Sequence, residues 1–339
     1  SKSLGTGIDP LELIDRYGAD AVRYGLLKMS STQDVRFAEG MIDEGRGLTN
    51  KLWNAGRLIL TSADDVAPEP LVGAAVDGWM LTRLDRAVEE VSALIDAFDL
   101  AAAVKVLYRF VWNDVCDWYL EAAKARLYSD DPADRAQVSA TLRFVLDRTL
   151  RLCHPVLPHV TEELWRFAGG EGLLMRASFP VTGDVPRDSD AESAVEAAIE
   201  AVRGLRRLRD DAGLGPRAPL AVELEGGADA ERLLLASDLL GSLGGATLNG
   251  SSESAAVPIT IGDATLHVRG EGLADALRPR LVDRLAAART ERERAARKLA
   301  DERFVSRAPA ALVEAEREKA SRFALEAAEL EARLDALGA

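Results

Sequence analysis

Apolar residues recur every three or four positions through most of the first two hundred residues. They fall at Leu48, Leu52, Trp53, Ala55, Leu58 and Ile59 within 40–62. From Trp79 to Phe98 they fall at Leu81, Leu84, Val88, Val91 and Ile95. From Leu100 to Leu127 the stripe holds Val104, Leu107, Tyr108, Val111, Trp112, Val115, Trp118 and Tyr119, and the theme repeats from Ala136 to Cys153. Each stripe predicts a helix with one apolar face, and such helices bury those faces against one another as a bundle. Punctuation agrees. Asp9-Pro10 pairs an N-cap with a proline at the first helical position, Gly18 ends that helix, and Asp20 is placed to cap the next. PEPLVG, His154-Pro155, Leu157-Pro158 and Gly169-Gly170 break the run, with a further helix expected to begin at Thr161-Glu162-Glu163.

The pattern then changes twice. Around Asp184–Asp190 the chain turns to Pro, Gly and Asp, as linkers do. A helix carrying Val195, Ile199, Val202 and Leu205 follows, and then LAVELEG, VPITIG and ATLHVRG read as short strands between glycine turns. From Ala274 a third pattern begins. Leu281, Leu285, Ala288, Arg292, Ala295 and Leu299 keep heptad spacing, as do Val313, Glu316, Ala320, Phe323, Ala327, Leu330, Leu334 and Leu337. Two heptad helices with DERFVSRAPA between them predict an antiparallel coiled-coil hairpin. The expected fold is mainly α: a helical bundle over 36–183 after a short segment 1–35, a small α/β connector over 184–273, and the hairpin over 274–339.

Composition narrows the function. With 5% aromatic residues and a net charge of −14, the 339-residue chain is not a general nucleic-acid coat. Local charge differs. Arg278–Arg307 holds ten Lys/Arg against five Asp/Glu, net +5, whereas 308–339 holds four against seven, net −3. Interhelical pairing accounts for part of this, and the excess suits phosphate contact. Arg203, Arg206, Arg207 and Arg209 crowd one helix, where contact with RNA phosphate and pairing with Asp210 and Asp211 weigh evenly. Cys116 and Cys153 lack CxxC partners, which argues against a zinc framework and fits a reducing compartment. No apolar run reaches the ~18 residues of a membrane span, so a soluble, cytoplasmic protein is expected.

Few residues suggest chemistry by themselves. Ser1-Lys2-Ser3-Leu4-Gly5 sets an ammonium between hydroxyls ahead of flexible glycines, as a phosphate loop does, although a lysine near a terminus is more often only solvated. Lys28-Met29-Ser30-Ser31 lies at the end of an apolar helix and reads as structural. At their spacing Trp112, Trp118 and Tyr119 read as core rather than as base-stacking platforms, and His154 and His159 as packing at a helix terminus. Asp114, Asp117 and Glu121 read as surface ion pairs rather than an acid/base set.

The stretch SKSLGTGIDPLELIDRYGADAVRYGLL resembles the segment that closes the catalytic core of class I aminoacyl-tRNA synthetases. Those enzymes carry a Lys-Met-Ser-Lys-Ser loop, and this chain begins at what corresponds to its third residue. The resemblance implies that Lys2 is the loop's second lysine, catalytic in stabilising the charge that grows as pyrophosphate leaves, with Ser1 and Ser3 also at ATP. Thr6 stands where the family usually has Asn, a departure that leaves this correspondence intact. TQDVRF (32–37), NKLWNAGRLIL (50–60), WNDVCDWYLEAAKARL (112–127) and HPVLPHVTEELW (154–165) resemble the helical anticodon-binding domain. KLADERFVSRAPAALVEAEREK (298–319) resembles the hinge of the coiled coil in the valine-specific branch. The implied enzyme uses ATP with Mg²⁺ to join valine to its tRNA through an adenylate. This chain would be its monomeric, tRNA-binding C-terminal part, inactive by itself and holding no cofactor. Implied tRNA contacts are Arg203, Arg206, Arg207, Arg292, Arg294, Arg297 and Lys298. A free-standing tRNA-binding module and the isoleucine-specific branch are the alternatives.

Overall fold

The computed structural model describes residues 9–29, 39–250 and 254–337. Ser1, Lys2 and Ser3, the pair Ser30-Ser31 and the TQDVRF stretch lie outside the described residues. The chain divides into two compact units, one up to Val195 and one from Glu196 onward.

The first unit is a helical bundle. It runs α1 (Pro10–Tyr17), α2 (Ala19–Leu27), α3 (Glu39–Ser62), α4 (Ala75–Asp96), α5 (Leu100–Arg109), a π-helical segment (Phe110–Tyr119), α6 (Leu120–Leu127), α7 (Pro132–Cys153), α8 (Pro158–Phe167) and the start of α9 (Ser189–Ala212). Asp9 accepts the Leu11 N–H at 2.9 Å ahead of Pro10, and Asp131-Pro132 repeats the device with Ala133 at 2.9 Å. Gly18 ends α1 at a φ of 90° that disfavours any side chain. The predicted stripes are buried: Leu48, Leu52, Ala55 and Ile59 on α3, and Leu81, Leu84, Val88 and Val91 on α4.

Three expectations need correction. Asp20 does not cap α2. Its buried carboxylate accepts the backbone N–H groups of His159 at 3.0 Å and Val160 at 2.7 Å, so it caps α8. The reason is local, because α8 begins with Pro158 after Leu157, whose side chain offers no acceptor. That helix also starts three residues before Thr161. The long helix expected from Leu100 to Leu127 is interrupted by ten residues of π-helix. The wider turn buries Phe110, Val111, Val115, Trp118 and Tyr119 together.

A polar cluster locks this bundle. Asp77 is fully buried at the head of α4. It accepts the Tyr119 hydroxyl at 2.9 Å, the Arg126 guanidinium at 2.7 Å and the N–H groups of Gly73 and Ala74 at 3.0 and 3.1 Å. Burial, then the charge of Asp77, pushes the Tyr119 phenol well above its ordinary pKa. Burial works against the charge on Arg126, yet its bonds to Asp134 and Asp77 hold its pKa above the usual arginine value.

In the second unit α9 continues into a four-stranded sheet and a helical hairpin. The elements are β1 (Leu220–Gly226), α10 (Ala228–Leu235), α11 (Ser237–Ser242), β2 (Ala246–Leu248), β3 (Val257–Ile261), β4 (Ala264–Arg269), α12 (Leu273–Ala300), α13 (Glu302–Arg307) and α14 (Ala310–Ala336). The order is β2-β1-β4-β3, with β1 and β2 parallel and the other neighbours antiparallel. Strand β2, only three residues long, carries no alternation and was not predicted. In the hairpin, Arg278 donates to the Leu337 carbonyl at 2.6 Å while Lys298 meets Glu316 at 3.3 Å, so α12 and α14 run antiparallel. Leu281, Leu285, Ala288 and Ala295 are buried with Val313, Ala327, Leu330 and Leu337, as the heptads require. Arg292, on the same stripe by spacing, is exposed.

Candidate nucleic-acid interface

The cations of the hairpin divide into paired and unpaired sets. Across the two helices, Arg289 meets Glu331 at 2.7 Å, Lys319 meets Glu291 at 2.7 Å and Lys298 meets Glu316 at 3.3 Å. Arg294 reaches Glu291 one turn back at 3.3 Å, and Arg297 donates only a long bond of 3.4 Å to the Glu293 carbonyl. Arg292 has no carboxylate within ion-pair distance among the described residues. The first arm thus keeps exposed guanidiniums at Arg292 and Arg297 after interhelical pairing. Such a face attracts phosphate without reading sequence.

On α9 the four arginines part company. Arg209 is not paired with Asp210 or Asp211, one of the two readings of the sequence. It is 2% exposed, and its guanidinium donates to the carbonyls of Ala218 at 3.0 Å, Gly244 at 2.7 Å and Gly245 at 2.8 Å. It joins α9 to the loops before β1 and β2, and burial, then the neighbouring Arg206, lowers its pKa. Arg206 donates to the Leu243 carbonyl at 3.2 Å. Arg203, Arg206 and Arg207 are exposed. The carbonyls of Asp210 and Asp211 accept Arg280 at 2.9 and 2.7 Å, which ties the root of α12 to the end of α9. Positions 292–298 lie two to four turns farther along α12, roughly 12–21 Å from the Arg284 level at 1.5 Å per residue. The two predicted cationic groups therefore form separate patches.

Sequence reasoning missed Arg333. It lies on the net-negative arm, one turn after Glu329, where the charge count gave no reason to single it out. It lines a groove at the hairpin root with Arg207.

In the bundle the acidic trio forms ion pairs: Asp114 with Arg83 at 3.1 Å, Asp117 with Lys51 at 2.5 Å and Glu121 with Lys124 at 2.5 Å. Trp118 and Tyr119 are core. Trp112 is half-buried, its ring stacked on Tyr108 at 5.3 Å and 12°, with the Lys51 ammonium 4.6 Å above it. His154 bonds Thr161 at 2.8 Å, and the exposed His159 contributes its backbone N–H to Asp20. Lys28 pairs with Glu44, which also accepts Tyr24, so the Lys-Met-Ser-Ser lookalike begins with a structural lysine. Among the described residues no group of three His, Cys, Asp or Glu side chains could hold a metal, and no helix is long and apolar enough to cross a membrane.

Comparison with known proteins adds identity to this geometry. Residues 77–224 match the family described as the anticodon-binding domain of tRNA ligase. The chain thus carries an anticodon-binding domain of the tRNA-ligase class. Residues 274–338 match the family described as the valyl tRNA synthetase tRNA binding arm. The chain belongs to the valyl-tRNA synthetase family and corresponds to its C-terminal part. It is 34% identical over 354 residues to the valine–tRNA ligase of Geobacillus stearothermophilus, covering 98% of this chain and 40% of that one. With the Thermus thermophilus enzyme it shares 38% identity over 320 residues, covering 93% and 36%. With that of Latilactobacillus sakei it shares 41% over 232 residues, covering 66% and 26%. The chain thus spans only 26% to 40% of the length of these curated relatives.

Proposed function

We propose that this chain is the tRNA-holding part of a valine–tRNA ligase. In the whole enzyme, valine and ATP give valyl-adenylate and pyrophosphate, and the acyl group then passes to the terminal adenosine of the valine tRNA. The bundle of 36–183 grips the anticodon side, the hairpin of 274–339 braces the tRNA body, and 184–273 connects them. The observation that carries this reading is the hairpin itself, whose first helix keeps Arg292 and Arg297 exposed after the interhelical carboxylates have been paired. Arg203, Arg206, Arg207, Arg294 and Lys298 complete the proposed contacts.

Lys2, with Ser1 and Ser3, is assigned to the ATP loop, where its ammonium offsets charge on the departing pyrophosphate. ATP and its Mg²⁺ belong to the whole enzyme, which works as a cytoplasmic monomer. The test is comparative binding of valine and isoleucine tRNA to the 339-residue chain. Preference for the valine tRNA supports the reading, equal binding points to a general tRNA module, and preference for the isoleucine tRNA overturns it. The same preparation should catalyse no valine-dependent pyrophosphate exchange.

A further inference from the structure

We infer that the groove at the root of the hairpin seats a stretch of RNA sugar–phosphate backbone, with Arg207 and Arg333 as its phosphate contacts. The groove has a volume of about 740 Å³ and is walled by α9, the edge strand β3, α12 and α14. Gly204 sets its floor. A β-carbon there would lie 3.0 Å from Ile259 Cγ2, so the glycine lets α9 close onto β3 and leaves the cationic rim standing above.

The rim carries three guanidiniums, and they are used differently. Arg284 is shared between Asp211 at 3.8 Å and Glu326 at 3.6 Å. Arg207 and Arg333 have no carboxylate within ion-pair distance among the described residues, although Asp211 and Glu329 line the same groove. Arg333 stands one turn from Glu329 and is half-buried, yet it does not take up the intrahelical pair that its spacing offers. Elsewhere on the hairpin, Arg289, Lys298 and Lys319 all find carboxylates. Two cations left open on one groove match an anion with oxygens to offer in forks, as guanidinium and phosphate do. A peptide adding to the edge of the sheet fits less well. Pro258, in the strand that lines the groove, has no N–H to donate.

This inference rests on the tRNA reading above and deepens it, adding Arg333 and the groove wall to the α9 contact at Arg207, apart from the outer hairpin. The test uses the 339-residue chain and the valine tRNA, with affinity measured between 50 and 200 mM salt, a range over which phosphate contacts reveal themselves (about 0.9 in log–log slope per contact). Arg207→Ala/Arg333→Ala should weaken binding about tenfold and lower the salt slope by about 2. Arg292→Ala/Arg297→Ala serves as the comparison on the outer hairpin. If the groove pair binds with unchanged affinity and slope while the outer pair weakens, the groove assignment is wrong and the tRNA reading stands. If the unsubstituted chain binds tRNA no better than a random polyanion, the functional reading itself fails. A photocrosslinker on Thr260→Cys, with both arginines intact, removes dependence on the variants' folding. Crosslinks to tRNA are expected, and their absence overturns the proposal.

Discussion

The carboxylate of Asp20 on α2 receives the backbone N–H of Val160 on α8 at 2.7 Å, across 140 residues of sequence. A helix is capped here by a side chain from another helix, and the bond also fixes where those two helices meet. Asp20→Ala would orphan the Val160 and His159 N–H groups, at a cost of about 2 kcal/mol. Asp20→Asn, which keeps one carbonyl acceptor, should recover about half. Urea unfolding followed by tryptophan fluorescence would measure both, and an alanine variant as stable as the parent would refute the capping role.

The Asp77 cluster makes a graded prediction. Tyr119→Phe removes one hydrogen bond and should cost about 1–2 kcal/mol. Asp77→Ala leaves the Tyr119 hydroxyl, the Gly73 and Ala74 N–H groups and part of the Arg126 charge without their partner. That should cost about 3–5 kcal/mol. Unfolding midpoints in the reverse order would mean that the hydroxyl, not the carboxylate, organises the cluster.

Gly45 is a contact rather than a source of flexibility. A β-carbon there would lie 2.7 Å from Tyr24 Cδ1 and 2.9 Å from the Ala21 carbonyl oxygen. Gly45→Ala should therefore destabilise by about 1–3 kcal/mol through overpacking of α2 on α3. Gly40, on the same helix, would meet nothing within 4 Å. Gly40→Ala should be neutral or slightly stabilising, and equal effects at the two positions would dismiss the close approach.

How much of this was legible depended on the range of the interaction. Heptads and stripes were, because a buried face repeats locally, so the hairpin seam and the α3 and α4 cores could be placed from spacing. Asp20 was not. An aspartate beside a helix start is read as its cap, and nothing nearby discloses that α8 lacks one of its own. The π-helical segment escaped because its residues are ordinary helix-compatible aromatics and aliphatics, and the widening comes from packing. At the candidate interface, the exposed arginines of α9 and α12 could be anticipated from charge. The burial of Arg209 and the open state of Arg333 depend on which carbonyls and carboxylates the fold brings close.

Both cysteines should be inert in the folded chain. Burial pushes the thiols of Cys116 and Cys153 up to about 12, so almost no thiolate exists at pH 8. Alkylation at pH 8 should follow unfolding of the bundle and accelerate with urea. Rapid labelling in native buffer would contradict the burial of either residue.

His154 supplies an acid-sensitive element. Burial lowers its pKa below the ordinary value of 6.5, and Arg23 and His159 act in the same direction against Glu162 and Asp20. The folded chain therefore binds this proton less readily than the unfolded chain. Stability from His154 is complete above about pH 6.5 and is lost as the pH falls through that value toward the lower folded pKa. His154→Gln should flatten the drop in melting temperature between pH 7 and pH 5. A drop of the same size in the variant would assign it to other groups.

The two outer strands of the small sheet bear on how the chain behaves in a crowded solution. An open β edge is a template on which another copy can add a strand. Here β2 ends after three residues, and β3 carries Pro258 within its five. Neither edge offers an uninterrupted row of donors and acceptors to a neighbour. The small sheet thus has its routes to edge-to-edge association between copies blunted on both sides.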